Sequence, residues 1–284
     1  MPDFPIIDTH VHLWDINHID YPWLHEHPSL NKNFLPEDFT KACGAVEVEK
    51  IIFLQAEATP AQSMQETQWV TELANTDPRI QGIVSRAALE QGETIRPAIE
   101  TLTQNSLVKG IRRLIQPEEN IEFCIQPDFV KGVQLLPDYG LHFECCILHH
   151  QLANTIKLVA QCPNVTFNLN HIGKPDIKNH LLDPWRSELR ELAAFENVTC
   201  KLSGLATEAD HENWTPQDLQ PYIYHVLDCF GFDRTFYGGD WPVSTLATPY
   251  PRWIATLEQA LSGCSHDELK NLFVNNANTF YRLS

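Results

Sequence analysis

The chain has 284 residues, of which 43% are hydrophobic and 20% charged, and 37 acidic against 20 basic side chains give a net charge of −17. A chain of this length and composition can bury a large core without disulfides or a structural metal, and it is too apolar to be disordered. Its negative field would repel nucleic acids and anionic membranes, and no apolar run approaches the roughly 20 residues of a membrane span.

The N-terminal segment and the cysteines indicate a cytoplasmic protein. Residues 1–15, MPDFPIIDTHVHLWD, lack the basic and apolar regions of a signal peptide. The eight cysteines show no Cys-x-x-Cys spacing, and Cys145, Cys146 and Cys200 lie inside apolar runs. We therefore expect buried thiols in a reducing compartment.

Eight short runs rich in β-branched and aromatic residues recur along the chain. They are Ile6–His10, Lys50–Gln55, Ile80–Arg86, Val108–Ile115, Leu141–Leu148, Val165–Asn170, Val198–Ser203 and Thr235–Asp240. Helical periodicity separates them, most clearly over Ser63–Ala74 and Leu152–Ala160. The average spacing of roughly 33 residues is that of one strand plus a crossover helix.

This pattern predicts a single α/β domain over residues 1–284, a (β/α)8 TIM barrel. An open doubly wound sheet is the rival fold, but no Gly-x-Gly-x-x-Gly follows the first run. The polar and aromatic segment Asn17–Pro36 is too long for an ordinary turn between a strand and a helix, and such loops often form part of a site.

Candidate functional side chains follow three of the predicted strands, at the end where barrels carry their sites. The first run leads into His10-Val-His12, whose alternation places both imidazoles on the same side. The sixth is followed by His171, and the eighth presents Asp240 after two glycines. Each of these signals alone also has a structural explanation. His10 and His12 are compatible with a pair of surface histidines, His171 with a structural histidine, and Asp240 with an aspartate in a turn. Together, the imidazoles can bind a divalent ion or polarise a carbonyl directly, while the carboxylate takes a proton from water.

The start of the chain resembles the amidohydrolase-related family, in particular its sugar-lactonase branch. The resemblance rests on Asp8-x-His10-x-His12-x-Trp14-Asp15 and the following Tyr21-Pro22-Trp23-Leu24. It continues in order through KGIRR (109–113), HQL (150–152), HIGKP (171–175), KLSGL (201–205) and GDWP (239–242). It implies an amidohydrolase-like barrel that opens sugar-acid lactones, such as fucono-, rhamnono- or galactarolactone, or a pyrone dicarboxylate lactone. It also implies one divalent ion, with zinc the first choice although some members act without a metal, and no organic cofactor.

The resemblance assigns roles to matching positions. His10, His12, His171 and Asp240 match its metal-binding or carbonyl-polarising residues, and Asp240 with His171 its catalytic pair, in which the aspartate activates water. The positions that match substrate-binding residues are Gln55, Glu57, Arg112, His150 and Trp241. Glu57 is equally compatible with a metal ligand or a solvated loop acid. His150 is also compatible with a residue that starts a helix, and the sequence does not separate it from His149.

Two features depart from the family pattern. After the third run the chain has Arg86-Ala-Ala-Leu89, where the branch carries an aromatic residue and an aspartate. Lys174 and Lys201 are the nearby strand-end lysines, and we interpret them as structural or substrate-facing. Because neither matches a carbamylated bridge, a binuclear metal site is not expected.

Two other functions stay open at this stage. The wider family includes decarboxylases that remove carboxylate from aromatic or muconate-type acids with a similar His-x-His and aspartate. A barrel that binds a metal or a sugar without turnover is the third hypothesis. In each case the partner is a small molecule, in the main hypothesis a sugar-acid lactone of carbohydrate metabolism, and a homo-oligomer is compatible with the sequence.

Overall fold

Eight parallel strands follow one another in chain order in a single sheet, in a computed structural model that describes residues 2–283. The strands are Ile6–Val11 (β1), Val48–Leu54 (β2), Ile80–Ser85 (β3), Val108–Arg112 (β4), His142–Cys145 (β5), Phe167–Leu169 (β6), Val198–Leu202 (β7) and Thr235–Tyr237 (β8). Each overlaps one predicted run, and most of their residues are buried, as expected for parallel strands that helices cover. The prediction of a (β/α)8 barrel is confirmed.

Helices follow the strands around the barrel. They are Pro36–Cys43 (α1), Ser63–Ala74 (α2), Arg96–Thr103 (α3), Pro127–Gln134 (α4), Leu152–Gln161 (α5), Trp185–Ala193 (α6), Pro216–Phe230 (α7), Tyr250–Ala260 (α8), His266–Lys270 (α9) and Asn276–Phe280 (α10). The apolar stripe of α5 shows why they pack: Leu152, Ile156 and Val159 are buried on one side of it. Within residues 2–283, no helix combines the length and the apolar character needed to cross a membrane.

The barrel closes between its first strand and the segment that follows its last. Val11 forms a parallel bridge with Trp241. The backbone N–H of His12 donates to the carbonyl of Trp241 over 2.7 Å, and that of Asp240 donates to the carbonyl of His10 over 2.8 Å. This seam therefore brings the His-x-His segment next to the Gly-Asp-Trp-Pro segment, 230 positions later in the chain.

A buried ion pair ties several strands together inside the barrel. The Nζ of Lys201 donates to Oε2 of Glu144 over 3.0 Å and to the carbonyl of Thr9 over 2.8 Å. The hydroxyl of Tyr281 donates to the other oxygen of Glu144 over 2.5 Å. Burial alone would raise the pKa of Glu144, but the charge of Lys201 and the bond from His142 hold it below its ordinary value. Lys201, at the end of β7, is therefore structural.

The long segment Asn17–Pro36 lies over the carboxyl end of the barrel. It contains a 3-10 turn, Pro22–Glu26. The indole of Trp23 donates to the carbonyl of Ala56 over 2.8 Å, and the carbonyl of Asp20 accepts from the N–H of Thr59 over 2.9 Å. These bonds fix the segment against the loop that follows β2.

Candidate active site

Three imidazoles and one carboxylate meet at the barrel seam. The Oδ1 of Asp240 lies 3.5 Å from Nε2 of His10, 3.6 Å from Nε2 of His12 and 3.8 Å from Nε2 of His171. The two Nε2 atoms of His10 and His12 are 3.2 Å apart. All four side chains are buried. The structure thus brings together the four residues that the sequence predicted as metal-binding or catalytic.

Asp8 holds the two halves of the seam in register. Its Oδ1 accepts the backbone N–H groups of His10, at 2.9 Å, and of Gly239, at 2.8 Å. Its Oδ2 accepts the hydroxyl of Tyr250 over 2.8 Å. A Cβ at position 239 would overlap Oδ2 of Asp8 and the ring of Tyr250, so any larger residue would displace these side chains. Burial raises the pKa of Asp8 to about 7, against the opposing effect of its hydrogen bonds.

The backbone is strained where it presents the site. Seven non-glycine residues among residues 2–283 have a positive φ, and Glu57, His171, Lys174 and Asp240 are the four of them that line the main cavity. Their φ values of 48–57° lie in the left-handed region, which typically costs a non-glycine residue about 1–3 kcal/mol. Strain of this kind persists where the fold imposes a conformation, and it marks these four positions as candidates for function.

Hydrogen bonds determine which nitrogen of two imidazoles carries the proton. The Nδ1 of His12 must donate to the carbonyl of Leu54, 2.8 Å away, so a neutral His12 has its lone pair on Nε2. An Nη1 of Arg112 donates to Nε2 of His10 over 3.3 Å, so this nitrogen also carries a lone pair. The Nε2 lone pairs of His10 and His12 and the carboxylate oxygen of Asp240 therefore point at one another.

This arrangement fits a divalent metal ion. The donor atoms of His10, His12 and Asp240 all lie within 4.8 Å of one another. Two nitrogens bound to zinc at about 2.1 Å in tetrahedral geometry lie roughly 3.4 Å apart, close to the 3.2 Å between the Nε2 atoms of His10 and His12. Neutral imidazoles and a carboxylate are the donors that zinc and similar ions prefer. A cation among them would relieve the repulsion between the lone pairs.

Burial keeps the imidazoles neutral. It lowers the pKa of His10 well below its ordinary value, and the positive charge of Lys201 adds to the effect. It lowers the pKa of His171 to about 3. Burial opposes the ionisation of Asp240, but His171, His12 and Lys174 outweigh it and hold the pKa of Asp240 below its ordinary value. At neutral pH the site therefore presents neutral imidazoles and an ionised carboxylate.

Ser203 and Gly204 orient His171. The hydroxyl of Ser203 lies 2.8 Å from Nδ1 of the imidazole. A Cβ at Gly204 would lie 2.6 Å from the same nitrogen, so the loop after β7 packs directly on the ring. The sequence alone indicated no role for these residues or for Asp8. The signal for Asp8 was its position two residues before His10, on the same side of β1.

A cavity of about 470 Å³ opens above the cluster. Its polar lining includes His12, His171, Asp240, Arg112, Glu57, Lys174, Thr59 and Gln116, and its apolar lining includes Trp23, Ala56, Leu114, Pro117 and Val243. Arg112 is fixed by a hydrogen bond from Nη2 to the carbonyl of Gln55. Lys174, whose role the sequence left undecided, reaches the cavity while paired with Glu208 at 3.1 Å.

Three residues that the sequence predicted to bind substrate lie outside this lining. The Trp241 indole is buried and packs between the rings of Phe34 and Phe39, with centroid distances of 5.4 and 5.2 Å. Gln55 is fully buried and bonded to Glu57. His150 is exposed. Its neighbour His149 is partly buried, with Nδ1 3.1 Å from the carbonyl of Lys174.

The whole barrel matches a single protein family. The profile of the family described as amidohydrolase matches residues 7–283. An L-fucono-1,5-lactonase of Burkholderia multivorans is 31% identical, over 89% of this chain and 87% of its own. An L-fucono-1,5-lactonase of Burkholderia ambifaria is 28% identical, over 98% and 95%. The crystal structure of a Burkholderia multivorans amidohydrolase with bound zinc superposes with a TM-score of 0.88 at 30% identity, covering 99% of this chain and 100% of that one.

Proposed function

The chain belongs to the amidohydrolase family, and we propose that it hydrolyses the lactone of a sugar acid to the open hydroxy acid. The observation that carries the proposal is the buried Asp240, whose carboxylate faces three neutral imidazoles at the floor of a cavity. Such a carboxylate can accept a proton from water, the requirement for opening an ester without a covalent intermediate. The two similar Burkholderia proteins, both L-fucono-1,5-lactonases, support the same substrate class.

We further propose that His10, His12 and Asp240 hold one zinc ion, with His171 at the edge of the cluster. The convergent lone pairs support this assignment, as does the zinc in the similar crystal structure. When bound, the ion would supply a Lewis acid that polarises the lactone carbonyl.

The residues of the chain supply the proton transfers. The Oδ2 of Asp240 accepts no hydrogen bond from residues 2–283 and is free to bind a water molecule. Asp240 takes a proton from this water as its oxygen attacks the carbonyl carbon and the carbonyl becomes an oxyanion. When the tetrahedral species collapses, the bond between the carbonyl carbon and the ring oxygen breaks. Protonated Asp240 then returns the proton to the ring oxygen, which becomes a hydroxyl.

Fixed donors would stabilise the oxyanion and place the sugar. The guanidinium of Arg112 is held by its bond to the carbonyl of Gln55, which does not depend on the nitrogen of His10 that would bind the ion. A preorganised donor of this kind typically contributes about 3–4 kcal/mol to the transition state. The indole of Trp23 lines the cavity and offers a flat apolar surface for the ring of a sugar.

We also place this activity in carbohydrate metabolism and in a reducing cytoplasm. All eight cysteines are free thiols, and six of them are buried. This state suits a compartment that keeps thiols reduced.

A screen of lactones tests the proposal. The protein is incubated with L-fucono-, L-rhamnono- and galactarolactones, with chelator and with added zinc, and acid release is followed with a pH indicator. We expect turnover of at least one lactone, and about a 10²–10⁴-fold lower kcat in Asp240→Asn. Asp267→Asn, on the exposed side of α9, makes the same chemical change outside the cavity and serves as the control.

Two results would contradict the proposal. The first is full activity in Asp240→Asn. The second is release of carbon dioxide from aromatic or muconate-type acids with no lactone opened, which would establish a decarboxylase instead.

A further inference from the structure

Glu57 has the same backbone signature as the residues that form the site. It follows β2, lines the cavity and has a φ of 57°, close to the 54° of Asp240 and the 51° of His171. A glutamate has no local preference for this conformation, so the surrounding structure imposes it. The strain marks this carboxylate as a further functional group, and it lies outside the cluster of His10, His12 and Asp240.

Gln55 fixes the carboxylate of Glu57 from behind. The Nε2 of Gln55 donates to Oε1 of Glu57 over 2.8 Å, and the backbone N–H of Glu57 donates to Oε1 of Gln55 over 2.7 Å. Gln55 is itself fully buried, so the pair cannot rotate freely. The Nε of Arg86 is 3.9 Å from the same Oε1. Within residues 2–283, Oε2 of Glu57 accepts no hydrogen bond.

The two basic side chains of the cavity wall already have partners within the protein. Lys174 is paired with Glu208, and Arg112 bonds to the carbonyl of Gln55 and to His10. Glu57 therefore offers the cavity a carboxylate oxygen with unused acceptor capacity. A carboxylate accepts hydrogen bonds from hydroxyl groups and repels other carboxylates.

We propose that Glu57 determines specificity by binding hydroxyl groups of a neutral sugar lactone and by rejecting lactones that carry a free carboxylate. The inference rests on the proposed lactonase function and narrows its substrate class to uncharged aldonolactones. Gln55 then has a positioning role, because it holds Glu57 without reaching the cavity itself. The apolar surface of Trp23 completes a pocket for a ring whose hydroxyls face one acceptor.

The test compares a neutral lactone, L-fucono-1,5-lactone, with the anionic lactone of galactaric acid. We expect the wild-type protein to prefer the neutral lactone in kcat/KM by about 100-fold, the scale of a like-charge contact. Glu57→Gln keeps an acceptor for Gln55 and introduces an N–H₂ donor. We expect it to lower kcat/KM for the neutral lactone about tenfold, the effect of one lost charged hydrogen bond, and to narrow the preference at least tenfold.

Glu118→Gln is the matched control. Glu118 lies at the same end of the barrel, pairs with Arg113 at 2.6 Å and does not line the cavity. The same change of charge there is expected to leave the preference within twofold of wild type. Thermal unfolding of both variants separates a loss of fold from a change of specificity.

The outcomes distinguish this inference from the function on which it rests. If wild-type protein opens neither these lactones nor the wider panel, the lactonase proposal fails. If it opens lactones but accepts the galactaric lactone as well as the neutral one, the inference alone is overturned. An unchanged preference in a folded Glu57→Gln variant overturns it equally.

Discussion

The backbone N–H of Asp240 donates to the carbonyl of His10 over 2.8 Å, so one hydrogen bond both closes the barrel and joins the two halves of the site. Asp8 reinforces the junction, because one of its carboxylate oxygens accepts the N–H groups of His10 and Gly239. The positions of the imidazole and the carboxylate thus depend on the same contacts that complete the fold. Changes at the seam or in the loops that pack on it should therefore affect activity before they unfold the protein.

Gly204→Ala tests the packing of the β7 loop on His171. The new Cβ would lie 2.6 Å from Nδ1 of His171, and the φ of 66° is strained for alanine. We expect kcat to fall about 10- to 100-fold, the scale of a misplaced catalytic group, as measured in the lactone assay.

Gly140→Ala provides an unusually close control. Gly140 also has a φ of 66°, but no atom of residues 2–283 lies within 4 Å of its added Cβ. The backbone strain should cost about 1 kcal/mol of unfolding free energy with kcat unchanged. Equal kcat values in the two variants would show that contact with His171 does not matter.

Zinc affinity should depend on the donor atoms of His10, His12 and Asp240. We expect the protein to bind one equivalent of zinc in equilibrium dialysis, and His12→Gln to weaken the affinity at least 100-fold because one donor is lost. His266→Gln removes an imidazole that is 55% exposed and lies outside the cluster, and it should bind as wild type does. Equal affinity in both variants would place the ion elsewhere.

The barrel was predictable because each strand leaves a local signal, a short apolar run, at a regular spacing. The ends of the strands were less predictable. The apolar run Leu141–Leu148 exceeds β5, which stops at Cys145, because the carbonyl of Cys146 accepts N–H groups from Ile115 and Gln116 in the preceding loop. The apolar composition of the run does not reveal that a residue in it bonds to a loop and not to a neighbouring strand.

The site was predictable where its side chains lie at or near the end of a strand. His10 lies near the end of β1, His12 directly follows it and Asp240 lies three residues after β8, and the alternation along β1 fixed the direction of the two histidines. Trp241 follows Asp240 in the same motif, but its indole packs between Phe34 and Phe39, away from the cavity. Two neighbouring residues of a motif need not point their side chains toward the same site. Here the backbone turns at Asp240, which has a left-handed conformation, and the side chain of Trp241 points elsewhere.

Removing only one partner of the buried ion pair between Lys201 and Glu144 should destabilise the protein more than removing both charges. Lys201→Met leaves the Glu144 carboxylate without its cation in the barrel interior, which typically costs about 3–5 kcal/mol of unfolding free energy. Adding Glu144→Gln removes the uncompensated charge, so the double variant should be more stable than Lys201→Met alone. Chemical denaturation measures both effects.

An exposed pair of the same type serves as the comparison. Lys131 and Glu93 lie 3.1 Å apart and are about half exposed. Lys131→Met should cost far less stability than Lys201→Met, because solvent screens such pairs. A loss of the same size for Lys131→Met and Lys201→Met would contradict the argument from burial.

Glu66 should make stability depend on pH. It lies on α2, is buried and accepts the N–H of Ala56 over 3.0 Å. Burial raises its pKa from the ordinary value of 4.5 to about 7, with the charge of Glu57 adding to the effect while the bond from Ala56 opposes it. Between these two pH values the folded protein binds the proton more tightly than the unfolded chain. The stability linked to Glu66 is therefore fully present below pH 4.5 and is lost as the pH rises through 7.

Glu66→Gln has no proton to lose, so its stability relative to wild type should increase by about 3 kcal/mol between pH 4.5 and 8. The glutamine oxygen can still accept the N–H of Ala56, which keeps the loop before Glu57 in place. Glu72→Gln, on the exposed face of the same helix, controls for the change of charge. Urea unfolding of the three proteins at pH 5 and 8 measures the difference. Parallel pH dependence in wild type and Glu66→Gln would mean that the carboxyl group of Glu66 is ionised throughout this range and that burial does not govern its titration.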